Sequence, residues 1–367
     1  MISLSLLPRL FLYPFLVSSV LAFIATFMVR AIYLRRGWLD DPAAQKHPKV
    51  IHTYPTPRGG GVAIFAAFML STFLFLGFDK HTVGILLGGL LLTIVGFFDD
   101  RRDLSPYFRL ILGFVAAGFV VASGIGIAFI TNPFGGIIHL DWPQISFSLL
   151  GEQRSIWVIS DLFALLWIVW SMNMVNWSKG VDGQLPGIVV VAALVIALLS
   201  FRFTEDVTQW EVSIFAALTA GSYFGFLPWN FYPQKIMPGY GGGSLAGYLL
   251  ATLAILSGAK VATAIIVLGI PTMDALYTIL RRVASGRSPV WGDRGHFHHL
   301  LLDLGWSKPR VAVFYWIVSA LLGLLALGLN AQQKFYTIVA LAVIVGGMIL
   351  WLRFFVLFSK AQGRGSG

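Results

Sequence analysis

Eleven apolar runs, each close to the length of a membrane-crossing helix, follow one another along this chain: 10–29, 60–78, 82–98, 107–130, 156–175, 185–201, 211–228, 244–258, 261–280, 311–329 and 335–358. The hydrocarbon core of a bilayer takes about 20 apolar residues as helix, because every backbone N–H and C=O must be satisfied inside the segment. The runs after Leu185 and after Ser244 are short for this, so ten to eleven spans are expected. Only 11% of the residues are charged and 57% are hydrophobic, whereas soluble domains carry about a quarter charged residues. Such a chain cannot cover itself in water. The expected fold is an all-α polytopic membrane protein, one domain over 1–360 with a flexible tail at 361–367. The first run has no small-residue cleavage site after it and reads as a retained helix rather than a signal peptide. Cysteine is absent, which excludes disulfides and thiolate chemistry.

Orientation follows from the basic residues. With the N-terminus outside, 20 of the 26 Lys and Arg fall on cytoplasmic segments and 6 on outer ones, the bias that membrane insertion imposes. The net charge of +10 is then a topology signal, and no nucleic-acid partner is expected. The polar-rich loops 30–59, 99–106, 176–184, 229–243 and 281–310 all fall on the cytoplasmic side. The outer connections are short except 131–155, where partial alternation of apolar and polar residues predicts a small external hairpin.

Five stretches on the inner side carry chemistry-bearing residues. IVGFFDDRRD (94–103) ends an apolar run in Asp99 and Asp100. Neighbours on a helix point about 100° apart, so one acid can hold a cation while the other orients a basic group. Hard carboxylates at a water-accessible edge suit Mg²⁺; the alternative is a solvated helix end paired with Arg101 and Arg102. NMVNWSKGVDGQ (173–184) places Asn173 and Asn176 on one helix face, then Lys179 and a tight turn around Asp182 and Gly183. These groups suit a nucleobase, ribose or phosphate; an ordinary capped turn would also use them. MPGYGGGSLAGY (237–248) runs three glycines into Ser244, an anion nest before a helix or a close helix-packing surface. It is not a Walker loop, since no Gly-Lys-Ser/Thr follows. RSPVWGDRGHFHHLLLDLGW (287–306) holds Arg294, His296, His298 and His299. Zinc is disfavoured without cysteine or an H-E-x-x-H pattern, and imidazoles beside an arginine suit a pyrophosphate. KHPKVIHTYPTPRGGGVAIF (46–65) adds Lys46, His52 and Arg58, for phosphate capture or for lipid headgroups. Acids, amides, glycines, histidines and bases on one membrane face form the inventory of phosphoryl transfer.

Taken together and in this order, HTYPTPRGGGVAIF, GFFDD, NMVNWSKGVDG and the stretch from PTMDALYTILRR to DRGHFHHLL resemble the polyprenyl-phosphate N-acetylhexosamine-1-phosphate transferases. The resemblance covers nearly the whole chain. Its His-Phe-His-His form and eleven runs are closer to the branch making lipid-linked GlcNAc than to the phospho-MurNAc-pentapeptide branch. It implies transfer of a sugar-1-phosphate, expected to be GlcNAc-1-phosphate, from a UDP-N-acetylhexosamine to polyprenyl or undecaprenyl phosphate, releasing UMP. This is a first membrane step of cell-envelope glycan synthesis, at the inner (cytoplasmic) membrane, by a chain that could pair as a homodimer. It also implies Mg²⁺, with Mn²⁺ as a substitute, at Asp99, Asp100 and Asp182, which would double as the catalytic acids. Asn173, Asn176, Lys179, Gly183, Arg294, His296, His298, His299, Lys46, His52 and Arg58 would bind substrate. Direct attack by the lipid phosphate and a covalent aspartyl intermediate both remain open.

Two departures stand out. The first acid of the family's Asn-x-x-Asn-x-x-Asp-Gly-x-Asp-Gly motif is Lys179 here. A further family acid, counted as a metal ligand, falls on Gly241 or Tyr240 depending on the alignment anchor. The site is thus more positive than the family pattern implies, so Mg²⁺ should bind more weakly and Lys179 can act as a phosphate cation. The alternative reading is a catalytically impaired relative that binds nucleotide-sugar or lipid phosphate without turnover. A transporter is disfavoured, since the sequence presents no paired set of broken helices.

Overall fold

The computed structural model describes residues 6–43, 52–149, 152–203, 206–258, 260–289 and 295–363. All eleven apolar runs are helical in whole or large part. In chain order they form α1 (Tyr13–Arg36), which continues a π-helical turn at Pro8–Leu12, α2 (Gly60–Phe75), α3 (Lys80–Arg102), α4 (Pro106–Ala122), α5 (Val158–Trp177), α6 (Gln184–Ser200), α7 (Thr208–Asn230) and α8 (Gly239–Leu256). There follow α9 (Val261–Val267), α10 (Gly269–Ala284), the short α11 (Phe297–Asp303), α12 (Lys308–Gly328) and α13 (Ala331–Gly363). Among the described residues seven helices are long and apolar enough to cross a membrane, or eight if α9 and α10, bent by 88°, make one span. Three others, α2, α4 and α6, are apolar but only 16 or 17 residues long. Large apolar side chains such as Leu74, Leu321, Val343 and Phe354 face outward, as a multi-pass membrane protein requires and a water-soluble one does not tolerate.

Two expectations need correction. The chain is not all-α: Phe129–Thr131 (β3) pairs with Ile137–His139 (β4), and Gln144–Leu149 (β5) with Glu152–Trp157 (β6), both antiparallel. So the stretch before α5 holds two hairpins rather than one, and α4 ends at Ala122 because Gly124 turns the chain with φ +96°. A third pair joins Leu39–Asp40 (β1) to Thr56–Pro57 (β2). At the C-terminal end α13 runs through Gly363, and 364–367 lie outside the described residues.

The core is organised around α8, which is buried along almost its whole length and packs on α2, α3, α5, α6 and α7. The three glycines 241–243 lie inside this helix rather than in a nest before it, and Ser244 is not its N-cap. They let three backbones meet. A Cβ at Gly61 would come within 2.4 Å of Gly242 N, one at Gly96 within 2.3 Å of Gly241 Cα, and one at Gly243 within 2.2 Å of Asn176 Oδ1. Gly96→Val therefore wedges α3 away from α8 and is expected to cost about 1–3 kcal/mol. Thermal unfolding in detergent checks this against Gly118→Ala, where a Cβ meets nothing within 4 Å. Equal unfolding temperatures for the two variants would contradict the close crossing.

Candidate active site

The sequence-predicted residues that can be described converge where the ends of α3, α5, α8 and α10 meet the loops before α2 and α6. Asp99 and Asp100 lie in the last turn of α3, which continues to Arg102. Both oxygens of Asp99 accept from Arg109 Nη1 at 3.0 Å, and Oδ1 also accepts from Leu104 N at 3.1 Å. Arg109 belongs to the first turn of α4, so Asp99 fastens the α3–α4 corner. Asp100 points the other way: its Oδ1 accepts from Tyr240 N at 3.0 Å in the first turn of α8, where the helix dipole favours a negative charge. Arg58 bridges two acids, with Nε 3.6 Å from Asp100 Oδ1 and Nη1 3.5 Å from Asp40 Oδ2. His52 braces the same loop through a 3.2 Å contact to Asp40 O. Lys46 lies outside the described residues.

Lys179 reaches across from the α5–α6 turn and donates to Gly239 O at 2.8 Å. A Cβ on Gly239 would meet Asp100 Oδ2 at 2.1 Å, so the ammonium and that carboxylate flank one glycine. Burial pushes Lys179 down to about 8, against the attraction of Asp100, which holds it up. Asp182 faces the α7–α8 loop: Oδ2 accepts from Gln234 N at 3.2 Å, and Oδ1 lies 3.5 Å from Lys308 Nζ at the start of α12. Gly183, at φ +80°, donates its N–H to Asn230 Oδ1 at 3.1 Å. Asn173 folds its amide back onto Val169 O at 2.8 Å, while Asn176 Oδ1 is buried without a partner.

The histidine segment packs on the same turn. A Cβ at Gly180 would overlap His298, and His296 and His298 rings stack with centroids 5.7 Å apart. His296 Nδ1 lies 2.9 Å from Asp274 Oδ2, and Asp274 Oδ1 accepts from Phe297 N at 2.9 Å. Burial and the neighbouring His299 and His296 hold His298 well below the usual imidazole range, so it is neutral at pH 7. Trp177 lies against His296, with ring centroids 5.8 Å apart, and the Arg282 guanidinium carbon is 5.3 Å from the Trp177 ring centroid. Arg294 lies outside the described residues.

Sequence reading gave no site role to Asp274, Arg109, Lys308, Asp40 or Tyr240. Asp274 carries a usable signal, a lone acid inside an apolar helix. Arg109 and Lys308 look like topology charges in sequence, and only the fold brings them to carboxylates.

The expected Mg²⁺ or Mn²⁺ does not match this donor set. A protein-held Mg²⁺ needs carboxylate oxygens turned toward water and substrate phosphate. Here Asp99 is engaged by Arg109, Asp100 by the Tyr240 N–H with Arg58 alongside, and Asp182 by the Gln234 N–H with Lys308. Among the described residues no three His, Asp or Glu side chains converge as a metal site. Side-chain exposure runs the same way: Arg58, Arg109 and Lys308 are 20–27% exposed, and the acids they pair with are 1–7% exposed. The bases form the mouth and the acids lie beneath them.

Comparison with known proteins adds independent findings. The glycosyl transferase family 4 profile matches residues 82–258, a range containing Asp99, Asp100, the Asn173–Gly183 stretch and the glycines of α8. The chain is 26% identical to the decaprenyl-phosphate N-acetylglucosaminephosphotransferase of Mycobacterium leprae, over 91% of this chain and 87% of that protein. It is 25% identical to the probable undecaprenyl-phosphate N-acetylglucosaminyl 1-phosphate transferase of Bacillus subtilis, over 94% and 87%. To the phospho-N-acetylmuramoyl-pentapeptide-transferase of Caldanaerobacter subterraneus it is 28% identical, over 78% and 88%.

Proposed function

We propose, from the match of residues 82–258 to the glycosyl transferase family 4 model and from the relatives named above, that this chain transfers N-acetylglucosamine-1-phosphate from UDP-GlcNAc to a polyprenyl phosphate, releasing UMP. The observation that carries the reading is one connected set of contacts: Asp40–Arg58–Asp100–Tyr240, Lys179 on Gly239, His298 on Gly180 and His296 on Asp274. It joins segments from Asp40 to His299 at one end of the helix bundle, beside the apolar outer surface from which a lipid phosphate would arrive. The relatives' names, which specify decaprenyl and undecaprenyl carriers, support the same donor and acceptor classes.

An oxygen of the lipid phosphate attacks the β-phosphorus of the UDP-sugar, and the bond from that phosphorus to the oxygen bridging to the α-phosphate breaks. The electron pair leaves with UMP. A phosphate monoester is mostly a dianion at pH 7, so attack needs no general base, and Asp100 serves to orient Arg58 and Lys179. Neutral His298 offers a ring N–H to phosphate or sugar without a competing charge. Asn173 and Asn176, three residues apart on α5, are the proposed contacts to the nucleotide. The site's place on the cytoplasmic side of the inner membrane, eleven spans and an outside N-terminus complete the proposal. They are supported by the 20-to-6 distribution of Lys and Arg and by helix ends of alternating direction at the cluster. The chain then opens a cell-envelope glycan pathway.

Purified protein reconstituted with undecaprenyl phosphate is expected to release UMP from UDP-GlcNAc, and to release none when the lipid is omitted. UMP formation indifferent to the lipid would overturn the acceptor assignment.

A further inference from the structure

Resting on this transfer reading, we infer that the chain handles the diphosphate with its own cations, Lys179 foremost with Arg58 and Arg109 beside it, in place of a divalent ion ligated by the protein. Three observations lead there. The carboxylates that would hold an ion each give at least one oxygen to a donor elsewhere in the chain: Asp99 to Arg109, Asp100 Oδ1 to Tyr240 N and Asp182 Oδ2 to Gln234 N. Lys179 stands where the resembling family has an acid, and its ammonium reaches the first turn of α8, beside Asp100. The position of the second family acid is taken by a residue without charge. If that residue is Gly241, it lies in the three-helix crossing, where a Cβ would be in ordinary contact with Gly96 Cα at 3.4 Å, Leu92 O at 3.7 Å and Gly61 Cα at 3.9 Å. If the aligned residue is Tyr240 instead, its ring packs beside the Arg109 guanidinium and its N–H is given to Asp100.

An ammonium can replace part of what an ion does in this reaction. Charge gathers on the bridging oxygen and the α-phosphate as the β-phosphorus–oxygen bond breaks, and a fixed cation there stabilises the transition state more than the ground state. The balance closes without a proton: lipid phosphate dianion and UDP-sugar dianion become lipid-diphosphate-sugar dianion and UMP dianion. The cations at the mouth then meet the incoming diphosphate first, and Asp100 below keeps Lys179 and Arg58 apart and in place.

The test uses the full chain in lipid nanodiscs. UMP release from UDP-GlcNAc with undecaprenyl phosphate is measured in EDTA and in MgCl₂, together with thermal stabilisation by UDP in the same two buffers. The expected result is turnover and UDP stabilisation that survive EDTA unchanged. Lys179→Met is expected to lose about 10²-fold in turnover and to lose the UDP stabilisation, read as the shift from its own ligand-free unfolding temperature. Lys179→Arg keeps part of both. Turnover and UDP stabilisation in the unaltered chain that vanish on chelation and return with Mg²⁺ would overturn the inference. If no UMP forms in either buffer, the transfer reading has failed separately, and UDP stabilisation in EDTA with its loss in Lys179→Met still decides this inference.

Discussion

Asp100→Asn is expected to lower UMP release by about 10³-fold while the protein still folds. Asparagine keeps the shape of aspartate and one acceptor for the Tyr240 N–H, so the seam between α3 and α8 survives. What disappears is the negative charge between two cations, with Arg58 Nε 3.6 Å away and Lys179 on the neighbouring Gly239 carbonyl. Arg58 is 22% exposed and retains Asp40, which limits the loss of stability to about 1–3 kcal/mol. Turnover suffers more, because the two cations lose the carboxylate that sets their positions, and misplacement of about 1 Å costs about 10²-fold on its own. Turnover and thermal unfolding of the same preparation check this. Near-native turnover would remove Asp100 from the machinery.

Asp274→Ala is the second large effect, and it acts at a distance from the diphosphate. Asp274 is 4% exposed, and its carboxylate holds both the His296 ring and the Phe297 N–H. Alanine strands two buried donors at about 1–3 kcal/mol each and frees the start of α11, so that His298 no longer seats against Gly180. Turnover is expected to fall by about 10²-fold, and amide hydrogen exchange over 296–303 to rise. Asp274→Asn is milder, because its carbonyl still accepts from Phe297 N and its amide can donate to the other His296 tautomer. An alanine variant with native turnover and native protection over these residues would contradict the role of Asp274 as the anchor of the histidine segment.

The helices were legible because a span must satisfy its own backbone and is therefore nearly continuous in apolar residues; each run became helix in whole or large part. The sharp break between α9 and α10 was not seen, since VLGIPTMDAL reads as one apolar run although Gly269 and Pro271 mark the bend. Motif spacing brought out Asp100, Lys179, Asp182 and the histidines, whose chemistry is visible in their side chains. Their partners were illegible. Arg109 is an ordinary inner-face base until the fold sets it on Asp99, and Gly61, Gly96 and Gly241 come from three separate segments whose shared crossing exists only in three dimensions. The glycine run of α8 is open in sequence to an anion nest or a close helix-packing surface, and the structure uses it as the second. The paired acids suit a metal ion or a base-paired helix end in sequence, and their contacts with Arg109, Tyr240 and Arg58 cannot be seen locally.

The bond that breaks is the heart of the account. UDP-GlcNAc labelled with ³²P at the β-phosphate, incubated with the reconstituted chain and undecaprenyl phosphate, follows it directly. Transfer of sugar-1-phosphate carries the label into the lipid phase together with the sugar and leaves unlabelled UMP in the water. Label that stays in the water as UDP while sugar moves to the lipid, or bound UDP-sugar with no label moved at all, would contradict it.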